Sequence, residues 1–345
     1  MNNAFLNDYN QLCSRQVYDF VGKHLYHREK GYEEDSFCRE AENMIRKVFA
    51  APDAMVQFFI GGTSANLTMI SHLLPRSYEA VIATKYSHIA NHEGGAIEGT
   101  GHKVVIADDE NGKILPESIE EIYLTHRDDD HMVIPKMVYI SNTTEVGTVY
   151  TLAQLKAVSQ VCKKYGLLLY VDGARLFAAH CSTYNDISYE DWAKYADVFY
   201  IGGTKNGLML GEAAVIVNKG LQCHMMRHMK NRGAMLAKGS LIGLNFMALF
   251  TDNLYERLAE NANSMAVRLA QFLESEGYEF QWRPESNQLF VNMDEDRVNR
   301  LAQQYDFADM GYADRDRGIK TIRLVTSFST TLEDVNQICN YIKDM

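Results

Sequence analysis

The sequence predicts an α/β protein with a mainly parallel sheet and a smaller α+β domain towards the C-terminal end. The chain has 345 residues, of which 46% are apolar, and this is enough to build more than one domain. Short apolar runs alternate with helix-like segments through its centre, and the pattern changes near residue 245. We therefore expect a large domain over residues 25–245 and a small one over 246–345, with residues 1–24 packing on the small domain or on a partner subunit.

Seven runs rich in Val, Ile, Tyr and Phe are candidate strands of the large domain. They cover residues 54–60, 79–84, 102–107, 136–141, 166–172, 197–202 and 213–218. Most are continuously apolar rather than alternating, which is typical of a sheet buried on both faces. Helical patterns between them occupy residues 64–74 and 151–166, the second with Thr151 as N-cap and Gly166 as C-cap. This alternation of strands and helices predicts a mainly parallel sheet.

The C-terminal part has longer helices and fewer strands. A helical pattern covers residues 245–277, and two candidate strands follow at 288–293 and 321–327. A last helix is predicted over residues 332–344. These elements predict the small α+β domain.

Composition and charge argue against several classes of protein. The formal net charge of −11 disfavours a nucleic-acid or anionic-membrane surface as the main partner, although local basic residues can still bind an anionic ligand. The six cysteines lie far apart without a CxxC pair, so we expect reduced thiols in a cytoplasmic protein rather than a metal site or a disulfide framework. We expect no signal peptide at the N-terminus, and no apolar run approaches the length of a membrane span.

A segment of small residues follows the first predicted strand. Gly61 and Gly62 end the strand, and Thr63 and Ser64 begin a helix. Free backbone N–H groups, two hydroxyl donors and the positive end of the helix dipole can hold a phosphate there. An ordinary strand-to-helix turn with Ser/Thr caps has the same residue types. Neither a Walker loop nor the GxGxxG motif of nicotinamide enzymes is present.

Asp172 ends a strongly apolar strand, at the edge where α/β sheets bind their ligands. A carboxylate buried there needs a cationic partner, and a protonated pyridine nitrogen would serve. Arg175 follows three residues later and has two possible roles. It can pair with Asp172, or its planar guanidinium can bind a substrate carboxylate with two hydrogen bonds.

Lys205 follows another buried strand and lies in a Gly-rich loop, 33 residues after Asp172. This spacing corresponds to one strand–helix–strand unit, which brings both residues to the same edge of the sheet. A desolvated lysine loses its proton readily and can form a Schiff base with an aldehyde. The neighbouring Thr204 can donate to a phosphate. These residues predict an enzyme that holds pyridoxal 5'-phosphate (PLP) on Lys205 and reacts with an amino acid.

Two histidines lie in a third segment after a predicted strand. His88 can lay its ring flat on a cofactor ring, and His92 follows four residues later. The HEGGA run does not match a zinc protease, because Ala96 stands where the second histidine is needed. A metal site at His88 and His92 is less expected than a pair of capping or core histidines. We therefore predict no metal ion here.

In their order, five motifs resemble the threonine aldolase and β-eliminating lyase group of fold-type I PLP enzymes. They are GGTSAN (61–66), SHIANHEGGAIE (87–98), ISNTTEVGTVY (140–150), VDGARLF (171–177) and GGTKNG (202–207). The similarity extends from residue 31 to residue 331. It implies a seven-stranded, mainly parallel PLP domain, a smaller C-terminal domain, and a homodimer or homotetramer with its sites at the subunit interface.

The resemblance also implies roles for individual residues. His88 would stack on the cofactor ring, Asp172 would bind the ring nitrogen and Lys205 would carry the cofactor. Arg175 and Arg323 would hold the substrate carboxylate, although Arg323 could instead form a surface salt bridge. The remaining cofactor contacts that the resemblance implies are Gly62, Thr63, Ser64 and Asn142.

Two departures from the family pattern concern the substrate rather than the cofactor. Threonine aldolases have Asn-Thr-His-Asn where this chain has residues 142–145, so the histidine associated with the substrate hydroxyl is replaced by Thr144. The family's GGGM segment is RGAM here, at residues 232–235. Lys230 or Arg232 could reach a partner's phosphate, or both could be solvent-exposed.

The resulting hypothesis is a lyase that cleaves the Cα–Cβ bond of a β-hydroxy-α-amino acid, such as threonine or allo-threonine, into glycine and an aldehyde. His88, His92, Glu145 and a water molecule are the candidate bases. β-Elimination or amino transfer on another amino acid is the alternative. A non-catalytic ligand-binding protein on the same scaffold is a more remote one.

Overall fold

The computed structural model describes residues 2–345 and contains a seven-stranded sheet, a four-stranded sheet and a two-stranded hairpin. The strands, in chain order, are β1 (Met55–Phe59), β2 (Glu79–Thr84), β3 (Lys103–Ala107), β4 (Asp109–Glu110), β5 (Lys113–Ile114), β6 (Ile134–Ser141), β7 (Leu168–Asp172), β8 (Val198–Gly202), β9 (Glu212–Ile216), β10 (Glu279–Phe280), β11 (Gln288–Asp294), β12 (Ala308–Asp314) and β13 (Ile319–Val325). All seven strands predicted for the large domain are therefore present, with ends that differ by at most two residues.

The helices surround both larger sheets. They are α1 (Arg15–Gly22), α2 (Ser36–Val48), α3 (Gly62–Leu73), α4 (His88–Asn91), α5 (Pro116–His126), α6 (Leu152–Tyr165), α7 (Leu176–His180), α8 (Tyr189–Tyr195), α9 (Met225–Asn231), α10 (Ser240–Phe250), α11 (Leu254–Ser275), α12 (Glu295–Leu301) and α13 (Leu332–Lys343). Within residues 2–345, none combines the length and the apolar composition of a membrane-spanning segment.

The large sheet has the strand order β1-β9-β8-β7-β6-β2-β3. β9 runs in the opposite direction to the other six strands, so the predicted mainly parallel sheet is confirmed. Apart from the partly exposed edge strand β3, its strands are buried on both faces, because one apolar core lies on each side of the sheet. This arrangement explains why the strand sequences are continuously apolar.

The helix α6 shows how the sequence determines the ends of an element. Thr151 accepts a hydrogen bond from the backbone of Gln154, and the Gln154 side chain accepts one from the backbone of Thr151. At the other end Gly166 has φ 64°, a left-handed conformation that glycine adopts without steric cost. Both predicted caps are confirmed.

The single helical stretch predicted over residues 245–277 is wrong, because it is divided between α10 and α11. Asp252 and Asn253 lie between the two helices with φ 51° and 52°, and Asp and Asn tolerate this left-handed region better than most residues. The Thr251 hydroxyl also bonds back to the Met247 carbonyl, a contact that competes with helix continuation.

The small sheet has the order β10-β11-β13-β12 and is antiparallel throughout. Its core includes Phe5 from the N-terminal segment and the second half of α11, whereas the first half of α11 packs in the core of the large sheet. The two domains therefore share this helix. The domain boundaries drawn from the sequence stay a prediction.

Candidate active site

Several predicted site residues lie where adjacent parallel strands end. Asp172 ends β7 opposite Ser141 of β6, and Lys205 lies in a short 3₁₀ turn that follows β8. The backbone N–H of Asn142 donates to the Asp172 carbonyl at 2.9 Å. This is the edge at which open α/β sheets bind their ligands.

Asp172 is 4% exposed, and its side-chain hydrogen bonds within residues 2–345 all come from neutral donors. Its Oδ2 accepts from the Tyr139 hydroxyl and from Asn66 Nδ2, and its Oδ1 accepts from the Ala174 N–H. Burial and the Asp172 charge raise the pKa of Tyr139 well above its usual value, so the Tyr139 hydroxyl stays a donor. Arg175 forms no salt bridge with Asp172, so that alternative for Arg175 is wrong. The carboxylate still lacks a cation in contact, which suits a protonated ring nitrogen.

Lys205 is in a desolvated environment among charged groups. Burial, followed by the positive charge of Arg175, lowers the pKa of its amine, while the carboxylates of Asp8, Asp172 and Glu212 oppose this change. Its Nζ has no hydrogen-bond partner among residues 2–345. A lysine in this state is suited to nucleophilic attack on an aldehyde.

A second carboxyl group, which the sequence interpretation missed, lies beside Lys205. Glu212 begins β9, its Oε2 accepts from the Gly203 N–H at 2.9 Å, and burial raises its pKa to about 7. The nearby Thr204 side chain opposes this rise in pKa, and its Oγ1 accepts from the Gly211 N–H. In the sequence, Glu212 directly precedes an apolar run, and a carboxylate next to a buried strand is the signal that could have identified it. The predicted phosphate contact of Thr204 stays a prediction.

Arg175 is held by an acidic residue from the N-terminal segment. Its Nε lies 2.7 Å from Asp8 Oδ2 and its Nη2 lies 3.1 Å from Asp8 Oδ1. The side chains are 12% and 1% exposed, and Asn287 Nδ2 also donates to Asp8. Burial tends to raise the pKa of Asp8, but the positive charges of Arg175 and Lys205 outweigh it and lower that pKa. This pair could not be predicted from the sequence, because its members are 167 residues apart.

Arg323, in β13 of the small sheet, also faces this region. Burial and the charge of Arg175 lower its pKa, so the two guanidinium groups are close enough to repel each other. Its Nε is buried without a hydrogen-bond partner. It forms no salt bridge with any residue in 2–345, so the surface salt bridge considered for it is wrong. Arg175 and Arg323 both have guanidinium N–H groups available, and together they form a suitable environment for a carboxylate.

His88 begins α4 and is fixed by Glu93. Its Nδ1 lies 2.9 Å from Glu93 Oε1, and Asn66 Nδ2 donates to the same oxygen at 2.7 Å. The Glu93 side chain is 0% exposed, and Gly94 and Gly95 follow it with φ 59° and 76° in a tight turn. The sequence interpretation considered the HEGGA run only as a zinc motif and missed this buried carboxylate.

The predicted phosphate-binding residues are together at the start of α3. Gly62 is the first residue of this helix, and Thr63 and Ser64 follow in its first turn, where Gly61 offers no side-chain cap to the backbone N–H groups. A Cβ atom at Gly62 would lie 3.0 Å from the Tyr200 hydroxyl, so a side chain there would crowd the turn. The turn thus keeps free backbone donors at a helix N-terminus.

Asn142 is 0% exposed, and its Oδ1 accepts from the Tyr150 N–H. Its Nδ2 is buried without a partner. The neighbouring Thr144 does not take over the role of the motif histidine, because its hydroxyl pairs with Thr148 at 2.8 Å and the residue is 1% exposed.

The comparisons with known proteins agree with this arrangement. The family model for β-eliminating lyases matches residues 24–296. The chain belongs to the β-eliminating lyase family. Among its relatives, the low-specificity L-threonine aldolase of Pseudomonas aeruginosa is 32% identical over 91% of this chain and 90% of its own length. The corresponding protein of a Pseudomonas species is 33% identical over 86% and 85% of the two chains.

Solved structures support the same fold. A threonine aldolase of Leishmania major superimposes with a TM-score of 0.96 and 41% identity, covering 99% of both chains. An aspartate aminotransferase of Thermus thermophilus, at 14% identity and a TM-score of 0.72, shares the fold alone. The expected fold-type I architecture of PLP enzymes is thereby confirmed.

The site residues of this β-eliminating lyase fit the cofactor on which its family depends. Within residues 2–345, the buried Asp172 carboxyl group forms no salt bridge, and Asn142 Nδ2 and Arg323 Nε are buried donors without partners. Such groups are costly unless a bound molecule satisfies them. PLP with an amino-acid substrate carries a ring cation, a phosphate and a carboxylate, which are complementary to these groups.

The Asp8→Asn variant is expected to lower the free energy of unfolding at pH 7 by about 3 kcal/mol, since it leaves Arg175 buried without its counter-charge. The folded-state pKa of Asp8 lies below its ordinary 3.8, so its stabilising effect is complete above that pH and is lost as the pH falls through the lowered pKa. Urea unfolding between pH 7 and pH 3 should show the difference from wild type shrinking below pH 3.8.

The matched control is Asp19→Asn, which removes the exposed Arg15–Asp19 pair. It is expected to cost less than about 1 kcal/mol. Equal effects of the two substitutions at pH 7 would contradict the importance assigned to the buried pair.

Proposed function

We propose that this lyase uses PLP to cleave the Cα–Cβ bond of β-hydroxy-α-amino acids, converting threonine or allo-threonine into glycine and acetaldehyde. The observation that carries the proposal is the convergence of Lys205 and Asp172 at one sheet edge with Arg175 and Arg323. The extensive similarity to relatives named low-specificity L-threonine aldolases supports it.

In this proposal Lys205 carries the cofactor, Asp172 binds its ring nitrogen and His88 stacks on its ring. The other contacts are made by Gly62, Thr63, Ser64, Thr204 and Asn142. When bound, PLP supplies an electron sink for the charge that develops at Cα. Because Asp172 is buried and held by Tyr139 and Asn66, its charge can stabilise a protonated ring without rearrangement.

Arg175 and Arg323 hold the substrate carboxylate. Asp8 engages Nε and Nη2 of Arg175 and leaves Nη1 for the substrate. Fixing the carboxylate orients the substrate, so that one Cα bond is selected for cleavage. The two guanidinium groups repel each other, and a bound carboxylate would offset this repulsion because it attracts both.

Cleavage needs a base for the substrate hydroxyl, and the chain lacks the motif histidine at Thr144. Glu145 is half-buried, and its Oε1 already accepts from the His88 N–H and the Ser141 hydroxyl. Burial raises the pKa of Glu145, which makes it a weaker acid. His88 and His92 lie near each other with ring centroids 5.6 Å apart, and both remain candidates together with water.

A homodimer or homotetramer in the cytoplasm completes the proposal. Large apolar side chains in the N-terminal segment are more than half exposed, and a partner copy would cover them. They are Tyr9, Leu12, Tyr18, Leu25 and Tyr26. Arg232 is exposed, and the exposed Lys230 lies over the Tyr32 ring at 4.4 Å, so both are accessible to a partner's phosphate.

Product analysis tests the proposed reaction. PLP-loaded protein incubated with L-threonine or L-allo-threonine is expected to form glycine and acetaldehyde in equal amounts. An oxo acid with ammonia would instead indicate β-elimination, and an amino group transferred to an added oxo acid would indicate an aminotransferase. Either result, without glycine, would replace the proposed function.

A further inference from the structure

Two buried side chains connect His88 to Asp172. Asn66 Nδ2 donates to Glu93 Oε1 at 2.7 Å and to Asp172 Oδ2 at 3.2 Å, while His88 Nδ1 contacts Glu93 Oε1 at 2.9 Å. Asn66 is itself fixed, because its Oδ1 accepts from the Tyr170 hydroxyl at 3.0 Å. The Asn66 amide therefore holds both Glu93 and Asp172 in place.

Glu93 has an unusual environment for a carboxylate. Its side chain is 0% exposed, and its Oε2 is buried without a hydrogen-bond partner. His88 is its only salt-bridge partner among residues 2–345. A buried carboxylate in this state stabilises positive charge on the ring it contacts, since that charge offsets part of the cost of burial.

The contact also selects the tautomer of His88. Because Glu93 is an acceptor, the hydrogen of the neutral ring lies on Nδ1, and Nε2 keeps the lone pair. Nε2 has no hydrogen-bond partner among residues 2–345, and the side chain is 38% exposed. A carboxylate that orients a histidine and stabilises its protonated form is the arrangement of histidine bases in other enzymes.

The neighbouring histidine lacks these features. His92 forms no salt bridge with a carboxylate among residues 2–345, and burial together with the charges of His88 and Arg323 lowers its pKa. Thr144, at the position of the motif histidine, is turned towards Thr148. His88 is therefore the nitrogen base that the structure supports best.

We propose that Glu93 is a positioning residue for the cleavage reaction, acting through His88; this inference rests on the proposed function. Nε2 of His88 takes the proton of the substrate β-hydroxyl, and Glu93 stabilises the resulting positive ring. The hydroxyl oxygen becomes the aldehyde oxygen, the Cα–Cβ bond breaks, and its electron pair stays with Cα. A proton from water is then added at Cα to complete glycine, and His88 returns the proton it took to water.

A double-mutant cycle tests this inference. In the PLP-loaded wild-type background, Glu93→Gln is expected to lower kcat for L-threonine about a hundredfold, as loss of an effective general base does. In a His88→Phe background, which keeps an aromatic ring but no nitrogen, the same substitution is expected to cost less than about threefold. The matched control is Glu98→Gln, an exposed residue in the same segment, with wild-type kcat expected.

A second readout separates positioning from a general structural role. The affinity of the apoprotein for PLP, measured by absorbance titration, is expected to change less than about threefold in Glu93→Gln, because the phosphate and Lys205 contacts are intact. Glu93→Asp retains the carboxylate on a shorter side chain. Its kcat is expected to be about tenfold higher than that of Glu93→Gln.

Three results would overturn the inference. They are an unchanged kcat in Glu93→Gln, an equal hundredfold loss in the His88→Phe background, and Glu93→Gln and Glu93→Asp proteins that both fail to fold or to bind PLP. A wild-type protein that cleaves neither threonine diastereomer would refute the proposed function itself. That outcome is distinguishable, because it is seen before any variant is compared.

Discussion

Lys205→Ala is expected to lower turnover of L-threonine by at least about a thousandfold, since no other group can replace a covalent nucleophile. The amine lies in a desolvated turn after β8, and burial and Arg175 lower its pKa, which favours the neutral, nucleophilic form of the amine. The measurement is glycine formation at saturating substrate in the presence of added PLP.

The control for this variant is Lys219→Ala, whose side chain is 69% exposed and pairs with Asp53 at the surface. Its turnover should equal that of the wild type. A Lys205→Ala protein that keeps wild-type turnover would contradict the assignment of the cofactor lysine.

Asp172→Asn is expected to lower kcat by about 10²–10³-fold, because it removes the only negative charge proposed to face the ring nitrogen. The substitution is nearly isosteric, and Oδ1 can still accept from the Ala174 N–H. Initial rates with saturating L-threonine, together with PLP affinity from absorbance titration, provide the measurement. Both kcat and the affinity should fall.

Asp53→Asn is the matched control, since this carboxylate is 71% exposed and pairs with Lys219 at the surface. It should leave kcat and PLP affinity unchanged. If Asp172→Asn has the kinetics of this control, Asp172 does not bind the ring nitrogen.

Much of the fold could be predicted because its signals are local. Each central strand is a continuous apolar run, and such runs are determined by burial on both faces, which the sequence displays directly. The caps of α6 are likewise set by residues only three positions apart. The exposed β12 escaped prediction, because Gly311 interrupts its short apolar alternation and its pairing with β13 is irregular.

The site could be predicted only in part, for a physical reason. Asp172 and Lys205 could be recognised because each is a charged residue at the end of an apolar strand, and this pattern is visible in the local sequence. The residues that contact them could not be recognised in the sequence, since they come from distant parts of the chain. Asp8 reaches Arg175 across 167 residues, and Asn66 reaches Asp172 across 106. Such pairings depend on the topology, and no periodicity in the sequence encodes them.

Attachment of the cofactor to Lys205 can be detected chemically. PLP-loaded protein is reduced with borohydride, digested and analysed by mass spectrometry to find the lysine that carries the pyridoxyl phosphate group. We expect a single modified peptide, the one that contains Lys205. Modification of a different lysine, or no retained cofactor at all, would contradict the account.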